Sequence, residues 1–279
     1  MQNAGLAALG LNWRYLAFEV APTQLQAAIS GARAMGFIGL NLTVPHKLLA
    51  LEMVDLLDES ARQWGAVNTI RFEAQDPAGT WRPLREFDET AGLTIRAHGF
   101  NTDADAITRS LREDLELELS GTRVLLLGAG GAGRTAALKL AGEGVAKLYL
   151  VNRTAGKAAA VAAEIARRRP ELPLRLGYPD PKETVDLILN ATSLGLKPED
   201  PSPLDTTAFP LARAGAVYDM IYRPAETPLL RAARAAGRRA ANGLGMLLHQ
   251  GAKALELWTG RNPPIEQMRE ALQQNIYGG

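Results

Sequence analysis

One run of residues constrains the fold of this chain more than any other: Val124-Leu125-Leu126-Leu127-Gly128-Ala129-Gly130-Gly131-Ala132-Gly133-Arg134. It sets G-x-G-x-x-G between an apolar strand and the start of a helix. Gly128 permits the tight turn, Gly130 lets backbone approach a pyrophosphate, and Gly133 lets the helix pack close to the strand. Ala129, Gly131 and Ala132 complete the turn, whose amides point toward an anion at the helix N-terminus. A ligand-free glycine turn has the same composition. Its place between strand and helix points instead to a dinucleotide site.

The segments after it alternate. Strands are expected at Val124 to Leu127, Leu148 to Val151, Leu174 to Leu176, Val185 to Leu189 and Ala216 to Ile221, with helices at Arg134 to Ala141 and Thr154 to Arg168. Strands alternating with helices imply a doubly wound parallel sheet, the Rossmann arrangement. At the end of its second strand, an NAD-binding protein usually carries an acidic residue for the adenosine ribose. Here the sequence reads Val151-Asn152-Arg153-Thr154, with Lys157 one helical turn on. A neutral amide beside two cations repels no phosphate, and Arg153 offers a planar fork for one. NADP is therefore the expected cofactor. Away from such a strand, Arg153 and Lys157 would be ordinary solvated surface.

Before this region the chain is α/β of another kind. Tyr15 to Val20 reads as a strand, Thr23 to Met35 as a helix and Phe37 to Leu42 as a second strand, together a βαβ unit. Lys47 to Leu57 has helical spacing after Pro45, which puts Lys47 at a strand-to-helix junction. Residues 71 to 98 look irregular and charged, and loops or an edge hairpin are expected there. Gly243 to Leu272 reads as two helices separated by Gly260 to Pro264.

Composition removes several function classes. There is no cysteine, hence no disulfide, thiolate nucleophile or thiolate-bound zinc, and redox chemistry must come from a cofactor. The three histidines, His46, His98 and His249, have no metal-ligand spacing, so no metal is expected. Thirty-one Lys and Arg against 30 Asp and Glu, without a basic run, argue against nucleic acid. No apolar run is long enough to span a membrane, and no signal peptide is recognisable at the start. A cytoplasmic enzyme of a small-molecule substrate, monomer or homodimer, is expected.

Three short segments outside the nucleotide region carry polar residues in defined patterns: Asn41-Leu42-Thr43-Val44-Pro45-His46-Lys47, Ala66-Val67-Asn68-Thr69 and Gly99-Phe100-Asn101-Thr102-Asp103. With Asn190-Ala191-Thr192-Ser193-Leu194-Gly195, Asp219-Met220-Ile221-Tyr222, Thr227-Pro228-Leu229-Leu230 and Gly243-Leu244-Gly245-Met246-Leu247 through Gln250, they resemble the shikimate dehydrogenase family over nearly the whole chain. The resemblance implies NADPH-dependent, reversible reduction of 3-dehydroshikimate to shikimate, in chorismate and aromatic amino-acid biosynthesis. It makes Lys47 and Asp103 the catalytic pair and places Thr43, Asn68, Gln250 and Tyr222 on the substrate. Thr192, Gly243 and Met246 fall on the nicotinamide side. An aromatic after a strand and an adaptable methionine are equally at home in a core, so Tyr222 and Met246 have that plainer role open to them.

The architecture so implied is a substrate-binding α/β domain of residues 1–102 plus 241–279 and an NADP-binding domain of residues 103–240. The active site is expected in the cleft between them, with hinge motion near Asp103 and Asn242. The family's first strand, with a serine-bearing turn that binds the substrate carboxylate, precedes the segment resembling Met1-Gln2-Asn3-Ala4, so no carboxylate-binding residue is named. A start set downstream of the true one is the expectation. Two alternatives stand beside the main one: a quinate/shikimate dehydrogenase using NAD or both cofactors, and a non-catalytic nucleotide-binding relative.

Overall fold

The computed structural model describes residues 1–180, 182–197 and 199–278. Packing divides the chain into two compact units, Met1–Asp103 with Leu248–Gly279, and Ala104–Leu247. In chain order the elements are α1 (Gln2–Ala8), α2 (Leu25–Ala34), β1 (Gly39–Asn41), α3 (His46–Leu49), β2 (Leu56–Leu57), α4 (Glu59–Trp64), β3 (Thr69–Gln75), β4 (Trp81–Pro83) and β5 (Ile95–Phe100). There follow α5 (Asp103–Leu115), β6 (Arg123–Leu127), α6 (Gly131–Gly142), β7 (Lys147–Val151), α7 (Ala155–Arg168), β8 (Leu174–Leu176) and β9 (Val185–Asn190). The last are β10 (Ala214–Asp219), α8 (Pro228–Ala235), β11 (Arg239–Asn242), α9 (Leu244–Thr259) and α10 (Ile265–Tyr277).

The first unit holds a mixed five-stranded sheet ordered β1-β3-β5-β2, with β4 also on β3. Its centre is β3, whose Ile70, Phe72 and Ala74 are fully buried and share a core with Leu25, Ile29 and Ala32 of α2. The opposite face of the β3–β5 pair carries charge. Glu73, 3% exposed, accepts hydrogen bonds from Arg71 Nε at 3.1 Å, Arg96 Nε at 2.8 Å and His98 Nδ1 at 2.9 Å. Trp258 of α9 donates its indole N–H to the Ile70 carbonyl at 2.9 Å, which seats α9 on this sheet. Gly39 makes the contact possible, since a Cβ there would lie 2.1 Å from the indole nitrogen.

Four expectations for this unit are corrected. Tyr15 to Val20 is not a strand: it runs beside the sheet without ladder bonds, Leu16 and Phe18 exposed, and an extended segment without a hydrogen-bonded neighbour is no strand. The βαβ unit is accordingly absent, and β1 pairs antiparallel with β3. The helix from Lys47 to Leu57 breaks after one turn into a 3₁₀ turn, Ala50–Glu52, and Leu56–Leu57 becomes a strand parallel to β5. Residues 71 to 98, expected as loops or an edge hairpin, do place β4 on β3 as a hairpin at the edge, but they also supply the central strands β3 and β5.

The second unit is a six-stranded parallel sheet ordered β11-β10-β9-β6-β7-β8. Successive connections lead one way from β6 through β7 to β8 and the other way through β9 and β10 to β11. The reversal falls between β6 and β9, and ligands of such sheets bind outside the carboxyl ends of the strands at that point. Apolar residues from both layers, Leu125, Tyr149, Ile188, Phe209, Val217 and Leu230 among them, form the core that fixes the strand ends. The α/β class with a doubly wound parallel sheet is the one expected from the sequence.

Candidate active site

Lys47 and Asp103 are 56 positions apart, yet Lys47 Nζ donates to Asp103 Oδ2 at 2.7 Å. Each is placed by its own turn. The turn before α3 closes with His46 N–H on the Thr43 carbonyl at 2.8 Å, and Val67 N–H holds the Lys47 carbonyl at 2.8 Å. Asp103 opens α5 after an Asx turn, its N–H on Asn101 Oδ1 at 3.1 Å, while Asn101 Nδ2 donates to the Ala66 carbonyl at 3.0 Å. The ion pair is partly shielded, with side-chain exposures of 27% and 13%.

Asn68 is the hub. Its Nδ2 donates to Asp103 Oδ1 and to Thr102 Oγ1, both at 2.9 Å, and its Oδ1 accepts the Thr102 N–H at 2.8 Å. Gln250 Oε1 stands 3.5 Å from the same amide nitrogen. Lys47, Asp103, Asn68 and Gln250 are thus brought together. Thr43 is exposed in the turn ahead of α3, outside this network, and Tyr222 follows β10 in the other unit. The sequence reading assigned no substrate-side role to Asn41, Thr69 or Thr102. Asn41 Nδ2 donates to Thr69 Oγ1 at 2.9 Å, and its Oδ1 accepts from the Tyr15 hydroxyl at 3.1 Å. All three lie inside the polar motifs at residues 41–47, 66–69 and 99–103, which is the signal for them in the sequence.

In the second unit, Gly128 has φ +110° and Gly133 packs so tightly that a Cβ would be 2.2 Å from the Gly128 carbonyl oxygen. Around Gly130 and Gly131 a Cβ would meet nothing within 4 Å, so no internal contact demands glycine at either. Gly130 caps α6 without a side chain, leaving no side-chain acceptor on the first amides of a 12-residue helix. A bare turn with open space at a helix N-terminus fits a pyrophosphate. Asn152 Oδ1 accepts the Ala129 N–H at 3.0 Å and its Nδ2 donates to the Thr154 carbonyl at 2.9 Å, tying the glycine turn to the end of β7. Arg153 and Lys157 are exposed beside it, and Thr154 caps α7. These residues fit a phosphorylated adenosine ribose.

On the other side of the reversal point, the ends of β9 and β10 are joined by buried polar groups. Asn190 Oδ1 accepts from Thr192 N–H and Oγ1 at 3.0 and 2.8 Å, and its Nδ2 donates to Asp219 Oδ1 at 2.9 Å. Asp219 Oδ2 accepts from Thr227 at 2.7 Å. Burial pushes the Asp219 carboxyl up, against hydrogen bonds from Thr227, Ile221 and Asn190 that pull it down. Gly243 lies against the residue that follows β10, where a Cβ would be 2.1 Å from the Met220 carbonyl oxygen, and Met246 is half-buried in the first turn of α9.

Among the described residues no cluster of three or more His, Asp or Glu is arranged to hold a metal, and no helix is long and apolar enough to cross a membrane. A doubly wound sheet with this turn, in a chain that also pairs a lysine with a carboxylate, defines a dinucleotide-dependent oxidoreductase. Residues 1–70 match the family model for the shikimate dehydrogenase substrate binding domain, residues 110–193 that for shikimate/quinate 5-dehydrogenase and residues 243–273 that for the shikimate 5′-dehydrogenase C-terminal domain. The NADP(+) shikimate dehydrogenase of Methanopyrus kandleri is 37% identical over 99% of this chain and 90% of its own length. A crystal structure of a shikimate dehydrogenase in complex with NADP+ superposes with a TM-score of 0.82 at 34% identity, covering 98% of this chain and 89% of the other. The Thermus thermophilus enzyme in complex with NADP(H) and shikimate gives a TM-score of 0.78 at 35% identity, covering 98% and 92%. The chain belongs to the shikimate dehydrogenase family, and it is an NADP-dependent oxidoreductase.

Proposed function

We propose that the chain catalyses reversible reduction of 3-dehydroshikimate to shikimate, with Lys47 as acid/base, Asp103 as its partner, and the first unit as the substrate-binding one. The observation that carries this is the 2.7 Å Lys47–Asp103 pair with Asn68 on the other carboxylate oxygen. Bound NADPH supplies the hydride. As charge develops on the ketone oxygen, the Lys47 ammonium stabilises it and gives up a proton to it; in oxidation the amine takes that proton back. Asp103 aims the ammonium, and its spare lone pairs accept from a ring hydroxyl. Asn68, Gln250 and Thr43 offer the fixed donors and acceptors that a polyhydroxylated ring needs, and Tyr222 is a further candidate for the same role.

For the cofactor, the turn Gly128–Gly133 would hold the pyrophosphate, and Asn152, Arg153, Thr154 and Lys157 would hold the 2′-phosphate. Thr192, Gly243 and Met246 stand at the nicotinamide side. The test is initial-rate oxidation of shikimate and of quinate with NADP+ and NAD+, for the wild type and Lys47→Ala. Shikimate with NADP+ is expected to dominate, and removal of the acid/base to lower kcat by about 10²–10⁴ while NADP+ still binds. Undiminished turnover by Lys47→Ala, or none by the wild type, sinks the proposal.

A further inference from the structure

The second unit contains a hydrogen-bonded relay, buried at Tyr218 and Ser110 and ending at the exposed Asp114, that the reaction does not use. Tyr218, on β10, is fully buried, and its hydroxyl meets Ser110 Oγ of α5. Ser110 in turn donates to Asp114 Oδ2 at 3.2 Å. The backbone N–H of Met246, in the first turn of α9, points at the same tyrosine oxygen. One assignment of protons suits all three contacts. The Met246 amide must donate, so Tyr218 accepts from it; Ser110 has committed its proton to Asp114, so Tyr218 donates to Ser110. The relay runs one way, from the α9 amide through two hydroxyls to a carboxylate, and aligned bonds of this kind reinforce each other. Burial keeps the phenol protonated by raising its pKa well above the usual tyrosine range.

Sterics give the relay its other wall. A Cβ on Gly245 would fall 2.2 Å from Asp114 Oδ2 and 3.2 Å from Ser110 Oγ, so the residue beside Met246 is pressed against the end of the relay. Asn242 Oδ1 accepts the Leu244 N–H at 3.0 Å, and Gly243 abuts the Met220 carbonyl. Every residue from Asn242 to Met246 is therefore tied down within its own unit. The strand order says which half of a dinucleotide this turn serves: β7, with Asn152 at its end, takes the adenosine half, and β9, β10 and β11 lie on the opposite side of β6.

We propose that Tyr218 is a positioning residue, acting through Ser110 and Asp114 to hold the Gly243–Met246 turn against the nicotinamide half of the bound cofactor. This rests on the NADP-dependent function proposed above. The experiment compares Tyr218→Phe, which deletes one oxygen from an intact ring, with the wild type. Dissociation constants are measured for NADP+ and for 2′,5′-ADP, which carries only the adenosine half, with a thermal unfolding curve for each protein. Weakening of NADP+ by roughly 10-fold, the effect of one buried hydrogen bond, with 2′,5′-ADP unchanged within about twofold, is the expected result. Equal weakening of both ligands means that the relay merely stabilises the unit, and no change in either means that the turn does not need it; both overturn the proposal. If Tyr218→Phe does not fold, Ser110→Ala is read in the same way. A wild type that binds neither ligand overturns the cofactor reading itself, a result distinct from the others.

Discussion

Glu73 should set the acid stability of the first unit. Burial alone would push its carboxyl up, but hydrogen bonds from His98, Arg71 and Arg96, with the Arg71 charge, bring it from an ordinary 4.5 down to about 2. A folded-state value below the unfolded one means that the unfolded chain takes up its proton first. The stabilisation is therefore complete above about pH 5, and it is lost as the pH falls from there through about 2. The separation is worth about 3 kcal/mol. Glu73→Gln keeps the shape, removes the charge and leaves two guanidinium groups short of their partner. At pH 7 it should cost a comparable amount, and it should flatten the acid limb that the wild type shows. The assay is urea unfolding at pH 7, followed by an acid titration from pH 6 to 2. Tryptophan fluorescence isolates the relevant unit, because all four tryptophans (Trp13, Trp64, Trp81 and Trp258) belong to it. Should Glu73→Gln lose stability with acid as steeply as the wild type, the carboxylate is not its source.

Two other substitutions probe the nucleotide side. Gly133→Ala puts a methyl group 2.2 Å from the Gly128 carbonyl oxygen, so it should destabilise the second unit by about 1–3 kcal/mol and weaken NADP+ binding at least 10-fold; calorimetry and a binding isotherm read both. Arg153→Ser removes a charge-assisted fork, and the ratio of kcat/KM with NADP+ to that with NAD+ should fall roughly 10-fold or more, a loss that steady-state kinetics with each cofactor would measure.

Legibility in the sequence followed locality. The strand, turn and helix around Gly128 to Gly133 depend on neighbours a few residues away, so pattern sufficed. In β3 and β5 it misled. Arg71, Glu73, Arg96 and His98 face the same side and neutralise one another, so two central strands carry the charge of a loop while Phe72 and Ala97 sink into the core behind them. The opposite error came from Tyr15 to Val20, whose apolar residues looked like a strand although Leu16 and Phe18 face outward. The closeness of Lys47 to Asp103 depends on two turns far apart in sequence. No spacing rule reaches across that distance, and only the resemblance pointed to the pairing.

Asn152 bears on how such a chain can change over evolutionary time. Its amide clamps the Ala129 N–H with one end and the Thr154 carbonyl with the other. An aspartate, the obvious step toward NAD, could keep the first bond but would turn an oxygen toward a carbonyl at the second, loosening the turn that grips the pyrophosphate. Exposed Arg153 and Lys157 carry no such double duty. Drift in cofactor preference should accordingly be recorded first at those two positions, with Asn152 changing late and in company.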